Sequence, residues 1–325
     1  VPTINAPTFT DVLKARLTIA PYLSRTPLVS YPQLDALLDA EVYVKREDCN
    51  PTSAFKIRGG INLMANLPPE ERARGVIGSS TGNHGQSIAY AARLFGVRCT
   101  IGLPENANPG KVAAMRSLGA TLEFHGKVFD EARLHVERIA AENGLRYVHS
   151  ANEPLLIAGV ATSSLEVMEE VPDLDYLFVP LGGGSGAAGA CIACKTIRPQ
   201  TRVIAVQSAQ ARAGYDSWKA GELVEKPMQS IAEGLATGSA YELPQAILKE
   251  RLDDFVLVDD AELNRAIIHY AEYCHVLAEH AGAAALAGAL KMAGEIRGKK
   301  VGLVLSGANI TLDQLRDALA AATAK

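Results

Sequence analysis

The sequence predicts an α/β protein of about two domains, built on parallel sheets. At 325 residues the chain is long enough for about two units of roughly 100–200 residues each. Short β-branched runs alternate with Ala-rich stretches of helical period, an order that lays parallel strands between layers of helix. The strand-like runs are apolar throughout rather than at every second residue, as strands covered on both faces require.

In chain order the expected strands are Glu41–Lys45, Gly75–Ser79, Arg98–Leu103, Tyr176–Pro180, Arg202–Val206, Phe255–Val258 and Lys300–Leu305. Expected helices between them cover Gly85–Phe95, Lys111–Leu118, Asp130–Glu142, Leu155–Glu169, Ala187–Thr196 and Ala261–Tyr273. In folds of this kind ligands sit at the carboxyl ends of strands, where helix N-termini point. The turns that follow the strands are therefore where chemistry is to be sought.

Composition excludes several classes first. Lys and Arg total 32 and Asp and Glu 36, leaving a net charge of −4 and no basic excess for nucleic acid. A hydrophobic fraction of 48% is too high for a disordered chain. No apolar run reaches the roughly 18–20 residues that span a bilayer; the longest, Ala281–Leu290, stops at Lys291. Val1–Thr10 lacks a basic segment leading into an apolar stretch, so no secretory signal is expected. Five cysteines are too few, and odd in number, for a disulfide framework, which points to a reducing, cytoplasmic setting. The 28 glycines cluster, and the clusters fall in the turns of interest.

Pro51–Gly60 (PTSAFKIRGG) sets Lys56 directly after Ser53, Ala54 and Phe55 in a segment flanked by proline and glycine. A lysine becomes a nucleophile when desolvation or a neighbouring cation lowers its pKa, and Arg58 is expected to help by repulsion. The plain alternative is a surface lysine at a helix start. Ser79–Gln86 (SSTGNHGQ) follows a strand and precedes a helix, where backbone N–H groups and hydroxyls make an anion site. Capping by Thr81 or Asn83 is the simpler reading, but it needs one polar residue rather than five small or polar ones in a row. Gly182–Gly189 (GGGSGAAG) contains a formal G-x-G-x-x-G. The next strand ends in Gln207 and Ser208, without the acid a dinucleotide ribose requires, so a single phosphate cradle is expected. Ser306–Asn309 (SGAN) ends the last strand and reads either as a cleft residue or as an ordinary turn. Cys191 and Cys194 form a C-x-x-C inside an Ala/Ile-rich helix and read as small buried residues rather than a metal or redox pair. No metal site is expected.

In this order, from VYVKREDCNPTSAFKIRGG through STGNHGQ and PLGGGSG to LSGAN, the segments resemble the pyridoxal-phosphate (PLP) enzymes of fold type II. The resemblance is to their threonine/serine dehydratase branch, whose relatives include threonine ammonia-lyase, phenylserine dehydratase, the hydroxyectoine-utilisation dehydratase and serine racemase. It covers nearly the whole chain. It implies a tryptophan synthase β-like fold of two open, twisted parallel-sheet domains. Residues 1–74 plus 151–325 would form the large PLP-binding domain and residues 75–150 a small mobile one. It also implies that Lys56 forms the Schiff base with PLP and that Phe55 packs on its ring. Asn83 would bond the ring's 3′-oxygen, Ser306 would face the pyridine nitrogen, and Gly182, Gly183, Gly184, Ser185 and Gly186 would wrap the phosphate. Ser80, Thr81, Gly82 and His84 would grip the substrate carboxylate. The implied reaction is loss of the β-hydroxyl from a β-hydroxy-α-amino acid, giving a 2-oxo acid and ammonia, in a homodimer.

Departures from the pattern sharpen the expectation. Ala54 replaces a usual serine, Ser185 a usual glycine, Val160 a usual glutamine and His280 a frequent proline. Threonine and serine are the default substrates; room for a bulkier apolar β-substituent at Ala54, Val160 and the small residues of Ala278–Ala285 makes phenylserine, or a hydroxylated catabolic intermediate such as arises from hydroxyectoine, the rival expectation. Thr81 stands where serine racemases carry the serine base of the second face, and QSAQARAG, with Gln207 and Ala213, lacks the acids of their cation site. Both weigh against the alternative, an amino-acid racemase on the same scaffold. AFKIRGG and STGNHG do not fit the O-acetylserine and cystathionine β-synthase branch. With Lys325 as the last residue, the regulatory domain of biosynthetic threonine deaminases is not expected.

Overall fold

The computed structural model describes residues 5–323, so the first four residues of Val1–Thr10 and the terminal Lys325 lie outside the described residues. Among the described residues, ten strands form two sheets. Strands β1 (Leu28–Ser30), β2 (Glu41–Arg46), β7 (Tyr176–Pro180), β8 (Arg202–Ser208), β9 (Asp254–Val258) and β10 (Lys300–Leu305) make a six-stranded sheet in the order β1-β2-β10-β7-β8-β9. Strands β3 (Val76–Ser79), β4 (Cys99–Leu103), β5 (Thr121–Phe124) and β6 (Arg146–Tyr147) make a four-stranded sheet in the order β5-β4-β3-β6. Every pairing is parallel except β1 with β2, where Leu28 lies opposite Lys45.

All seven expected strands are present; β1, β5 and β6 are additional. These three are short edge strands without a continuous apolar run, and none of their residues is fully buried. The central strands carry apolar residues on both faces. Phe178 and Ile204 pack beneath the buried His280–Lys291 helix, while Leu177 and Val203 face the helices Pro154–Glu170 and Ser185–Ile197. The Ala281–Leu290 run is thus a core helix, and no helix among the described residues is long and apolar enough to cross a membrane. The expected helix Ala261–Tyr273 ends early, at His269, and continues as one π turn over Tyr270–Cys274. Cys191 and Cys194 are buried and unbonded, with their thiols pushed up by burial, as expected of packing residues.

Both sheets have a topological switch point, and these define the cleft. In the small sheet β4 and β5 extend to one side of β3 and β6 returns to the other, so the turn after β3 lies at the reversal. In the large sheet β7, β8 and β9 run outward and β10 inserts between β7 and β2, which brings together the turns after β7 and β10. The layer over the small sheet is not confined to residues 75–150. Ile57, Ile61 and Leu63 of the helix Lys56–Ala65, with Leu156 and Ala158, pack in the same core as Ile88 and Ile101.

Candidate functional site

Three helix N-termini converge on one cleft of about 880 Å³. They belong to the helices Lys56–Ala65, Asn83–Leu94 and Ser185–Ile197, capped by Phe55, Gly82 and Gly184. Aligned peptide dipoles and unpaired N–H groups make such ends attract anions. The cleft wall includes all thirteen residues to which the resemblance gives a cofactor or substrate role: Phe55, Lys56, Ser80, Thr81, Gly82, Asn83, His84, Gly182, Gly183, Gly184, Ser185, Gly186 and Ser306.

Lys56 begins its helix but is not a surface lysine. Its Nζ donates to Ser185 Oγ at 2.7 Å and stands 5.2 Å from the Phe55 ring centroid. Desolvation lowers its pKa to about 8. The expected repulsion from Arg58 does not contribute. That guanidinium turns away into two carboxylates, Glu47 at 2.8 Å and Glu166 at 2.7 Å. The segment before the lysine is pinned to the turn after β10: Phe55 N–H donates to Ser306 O at 3.0 Å and Ala308 N–H to Ser53 O at 2.9 Å.

The glycine loop is shaped by what its residues lack. A Cβ on Gly182 would lie 2.1 Å from the Gly234 carbonyl oxygen, and Gly184 holds φ at +94° at the helix cap. The first demands close backbone approach and the second a left-handed conformation, and glycine meets both. Gly183 faces Tyr241, whose ring meets His149 edge-on at 4.9 Å. His149 Nδ1 accepts from the N–H groups of Ala151 and Asn152, both at 3.0 Å, and burial lowers its pKa to about 4.

In the turn after β3, Ser80 Oγ accepts from Gly82 N–H at 3.1 Å. Burial, with Lys56 nearby, lowers the pKa of His84 to about 3, so its ring is neutral at physiological pH; Nε2 lies 3.4 Å from Val148 O. Ser306 Oγ points to Ala281 O at 3.4 Å.

The cleft also holds groups that the motifs do not reveal. Asn83 Nδ2 donates to Glu279 Oε1 at 2.5 Å, and burial pushes the Glu279 carboxyl above its ordinary pKa. Lys111, in the helix after β4, pairs with Glu233 at 2.5 Å, so an ion pair joins the small-sheet side to the segment between β8 and β9. Neither pair is visible in the sequence, because its members are 196 and 122 residues apart. The enlargement expected from Ala54 and Val160 is absent, since neither lines the cleft. Ala54 bridges to Gly307, and Val160 is buried in the Pro154–Glu170 helix. His280 points away toward Asn264 Oδ1 at 3.0 Å, leaving Glu279 and Ala281 of that segment at the cleft. No cluster of three or more His, Cys, Asp or Glu suited to a metal occurs among the described residues.

Residues 19–307 match the family described as pyridoxal-phosphate dependent enzyme. The chain belongs to this family. It is similar to the L-threonine ammonia-lyase of Thermotoga maritima, 38% identical over 311 residues, covering 95% of this chain and 77% of that one. It is also similar to the L-threo-3-hydroxyaspartate ammonia-lyase of Saccharomyces cerevisiae, 37% identical over 307 residues and covering 94% of each. Among solved structures, maize serine racemase superposes with a TM-score of 0.91 at 31% identity, covering 97% of this chain and 98% of that one. The protein is accordingly a PLP enzyme of fold type II. The cleft suits that cofactor, with a desolvated amine on its floor and, at a helix N-terminus, a cradle that a single Cβ would fill.

Proposed function

We propose that the enzyme is an ammonia-lyase that removes the β-hydroxyl of a β-hydroxy-α-amino acid and yields a 2-oxo acid and ammonia. The observation that carries this reading is Lys56: an amine with a pKa near 8, held by a neutral hydroxyl at the floor of a cleft that ends in a glycine cradle. Gly182, Gly183, Gly184, Ser185 and Gly186 take the cofactor phosphate on the positive end of the Ser185–Ile197 helix. Phe55 packs on its ring, Asn83 meets the ring oxygen and Ser306 faces the ring nitrogen. A hydroxyl at that nitrogen is a far weaker acid than a carboxyl group, which favours prompt loss of a β-substituent over a long-lived carbanion.

Bound PLP supplies the electron sink for the pair left at the substrate α-carbon. The protein supplies the rest. Lys56 Nζ would take the α-proton, and a pKa of about 8 suits a base that must also give its proton up. Ser80, Thr81, Gly82 and the neutral His84 hold the substrate carboxylate at the Asn83–Leu94 helix N-terminus. Movement of the small-sheet side, residues 75–150, brings this turn onto the substrate and excludes water, with the Lys111–Glu233 pair bridging the two sides. The enzyme works as a cytoplasmic homodimer, with neither nucleic acid nor membrane as partner.

Two consequences are measurable. Lys56 is mainly protonated below pH about 8 and mainly neutral above it. The rate at which the apo-enzyme takes up PLP into its lysine-bound, visibly coloured form should therefore rise with pH and level off just above 8. An ordinary lysine would keep rising toward roughly 10.4. Second, Gly182→Ala should weaken PLP affinity about tenfold or more, because its Cβ would collide with the Gly234 carbonyl and displace the cradle. Equilibrium titration of apo-enzyme would detect this, and an unchanged Kd would remove Gly182 from the phosphate site.

The substrate side chain is settled by equimolar ammonia and 2-oxo acid release from a panel of threonine, serine, phenylserine and 3-hydroxyaspartate. Threonine, serine and phenylserine are proposed ahead of 3-hydroxyaspartate because Lys111, a cation in the cleft wall, is already paired with Glu233. Preference for 3-hydroxyaspartate would overturn that assignment.

A further inference from the structure

The turn after β10 contributes more than the serine that begins it. Asn309 Nδ2 donates to the Thr52 carbonyl oxygen at 2.9 Å and to Asn83 Oδ1 at 2.7 Å. A backbone carbonyl only accepts, so the first contact dictates which way the Asn309 amide faces. The second contact then dictates the Asn83 amide: its oxygen meets Asn309, and its nitrogen must turn the other way. There Nδ2 donates to Glu279 Oε1 at 2.5 Å. An amide nitrogen carries two protons and Glu279 uses one of them. The other is available to the cleft, whose wall includes Asn83. Gly307 makes room for this arrangement, since a Cβ there would lie 2.5 Å from Glu279 Oε1 and 3.2 Å from Asn83 Nδ2.

We infer that Asn309 and Glu279 are positioning residues that lock Asn83 with its N–H, and not its oxygen, toward the ring oxygen of PLP. This rests on the reading of Asn83 as the residue that meets that oxygen. A donor there favours the ionised ring oxygen, whereas a carbonyl oxygen in its place would repel it. The directional chain starts from the Thr52 peptide, which cannot flip, and so the orientation is built into the fold before cofactor arrives.

The test uses PLP itself, titrated into apo-enzyme, with Kd and the absorption spectrum of the bound cofactor as readouts. Thermal melting of each apo-variant verifies folding. Asn83→Ala is expected to raise Kd about tenfold, the effect of losing one hydrogen bond to a charged group. It should also shift absorbance from the visible band toward the near-ultraviolet form with a neutral ring hydroxyl. Asn309→Ala should reproduce both changes in part, and the double variant should be no worse than Asn83→Ala alone. Glu279→Gln keeps an acceptor oxygen and should retain the visible band, while Glu279→Leu should lose it. If Asn83→Ala changes neither readout, the reading of Asn83 fails. If Asn83→Ala has its effect but Asn309→Ala and Glu279→Leu bind and absorb as the unaltered protein does, or if the losses in the double variant add, the positioning role is overturned while Asn83 keeps its place.

Discussion

Lys56→Ala is expected to lower ammonia release from a β-hydroxy amino acid by about 10⁴-fold or more, since it removes both the covalent attachment point and the base. The fold should survive. The amine forms a single side-chain hydrogen bond, to Ser185, and desolvation opposes its charge, so its loss leaves no buried carboxylate behind. Purified Lys56→Ala should show no visible band from lysine-bound cofactor and should melt close to the unaltered apo-enzyme. Retention of more than about one hundredth of the turnover would show that another group does the proton transfer.

The largest expected effect on stability comes from Arg58, two residues along the same helix. Its guanidinium meets Glu47 and Glu166 inside a fully desolvated cluster that also holds Lys45, whose Nζ lies 2.7 Å from Glu166 and 2.7 Å from the Thr26 carbonyl. Two cations balance two anions, and Thr26, Asn50 and Ser163 supply further hydrogen bonds to Glu47. Burial alone would raise the Glu47 pKa; Arg58 overrides this and holds it at about 2. Arg58→Met leaves both acids short of their partner in the interior and should cost about 3–5 kcal/mol. The check is urea unfolding of the apo-enzyme, with a lower midpoint at unchanged slope. A loss below about 1 kcal/mol would mean that water reaches the cluster and screens it. The cluster connects β2, the lysine helix and the Pro154–Glu170 helix, so Arg58→Met should also weaken PLP binding by letting Lys56 drift from Ser185.

What the sequence made legible follows from how each element is buried. Strands such as Tyr176–Pro180 and Lys300–Leu305 are covered on both faces, and an apolar run is a strong local signal. The edge strand Thr121–Phe124, half exposed and carrying Glu123, has no such signal. The Lys56–Ala65 helix was obscured by Gly59 and Gly60, which resemble helix breakers. Both are there for packing: a Cβ on Gly59 would lie 2.9 Å from Leu156 O, and one on Gly60 2.4 Å from Ser87 Oγ. The site motifs were readable because each is a continuous turn after a buried strand. Glu279, Asn309 and Lys111 acquire their partners only when distant segments meet at the two switch points. Arg58 shows the same limit from the other side. Its proximity in sequence suggested a charge acting on Lys56, and the fold directs that charge into the interior.

The central claim is that Lys56 and PLP here carry out net β-elimination. The most direct measurement incubates PLP-loaded enzyme with L-threonine and with L-phenylserine, and follows ammonia, 2-oxo acid and the enantiomers of the remaining amino acid in one reaction. Equal amounts of ammonia and 2-oxo acid, with no build-up of D-amino acid and no turnover by Lys56→Ala, are the expected result. Accumulation of the D-enantiomer in excess of ammonia would contradict it and make the protein a racemase on the same scaffold.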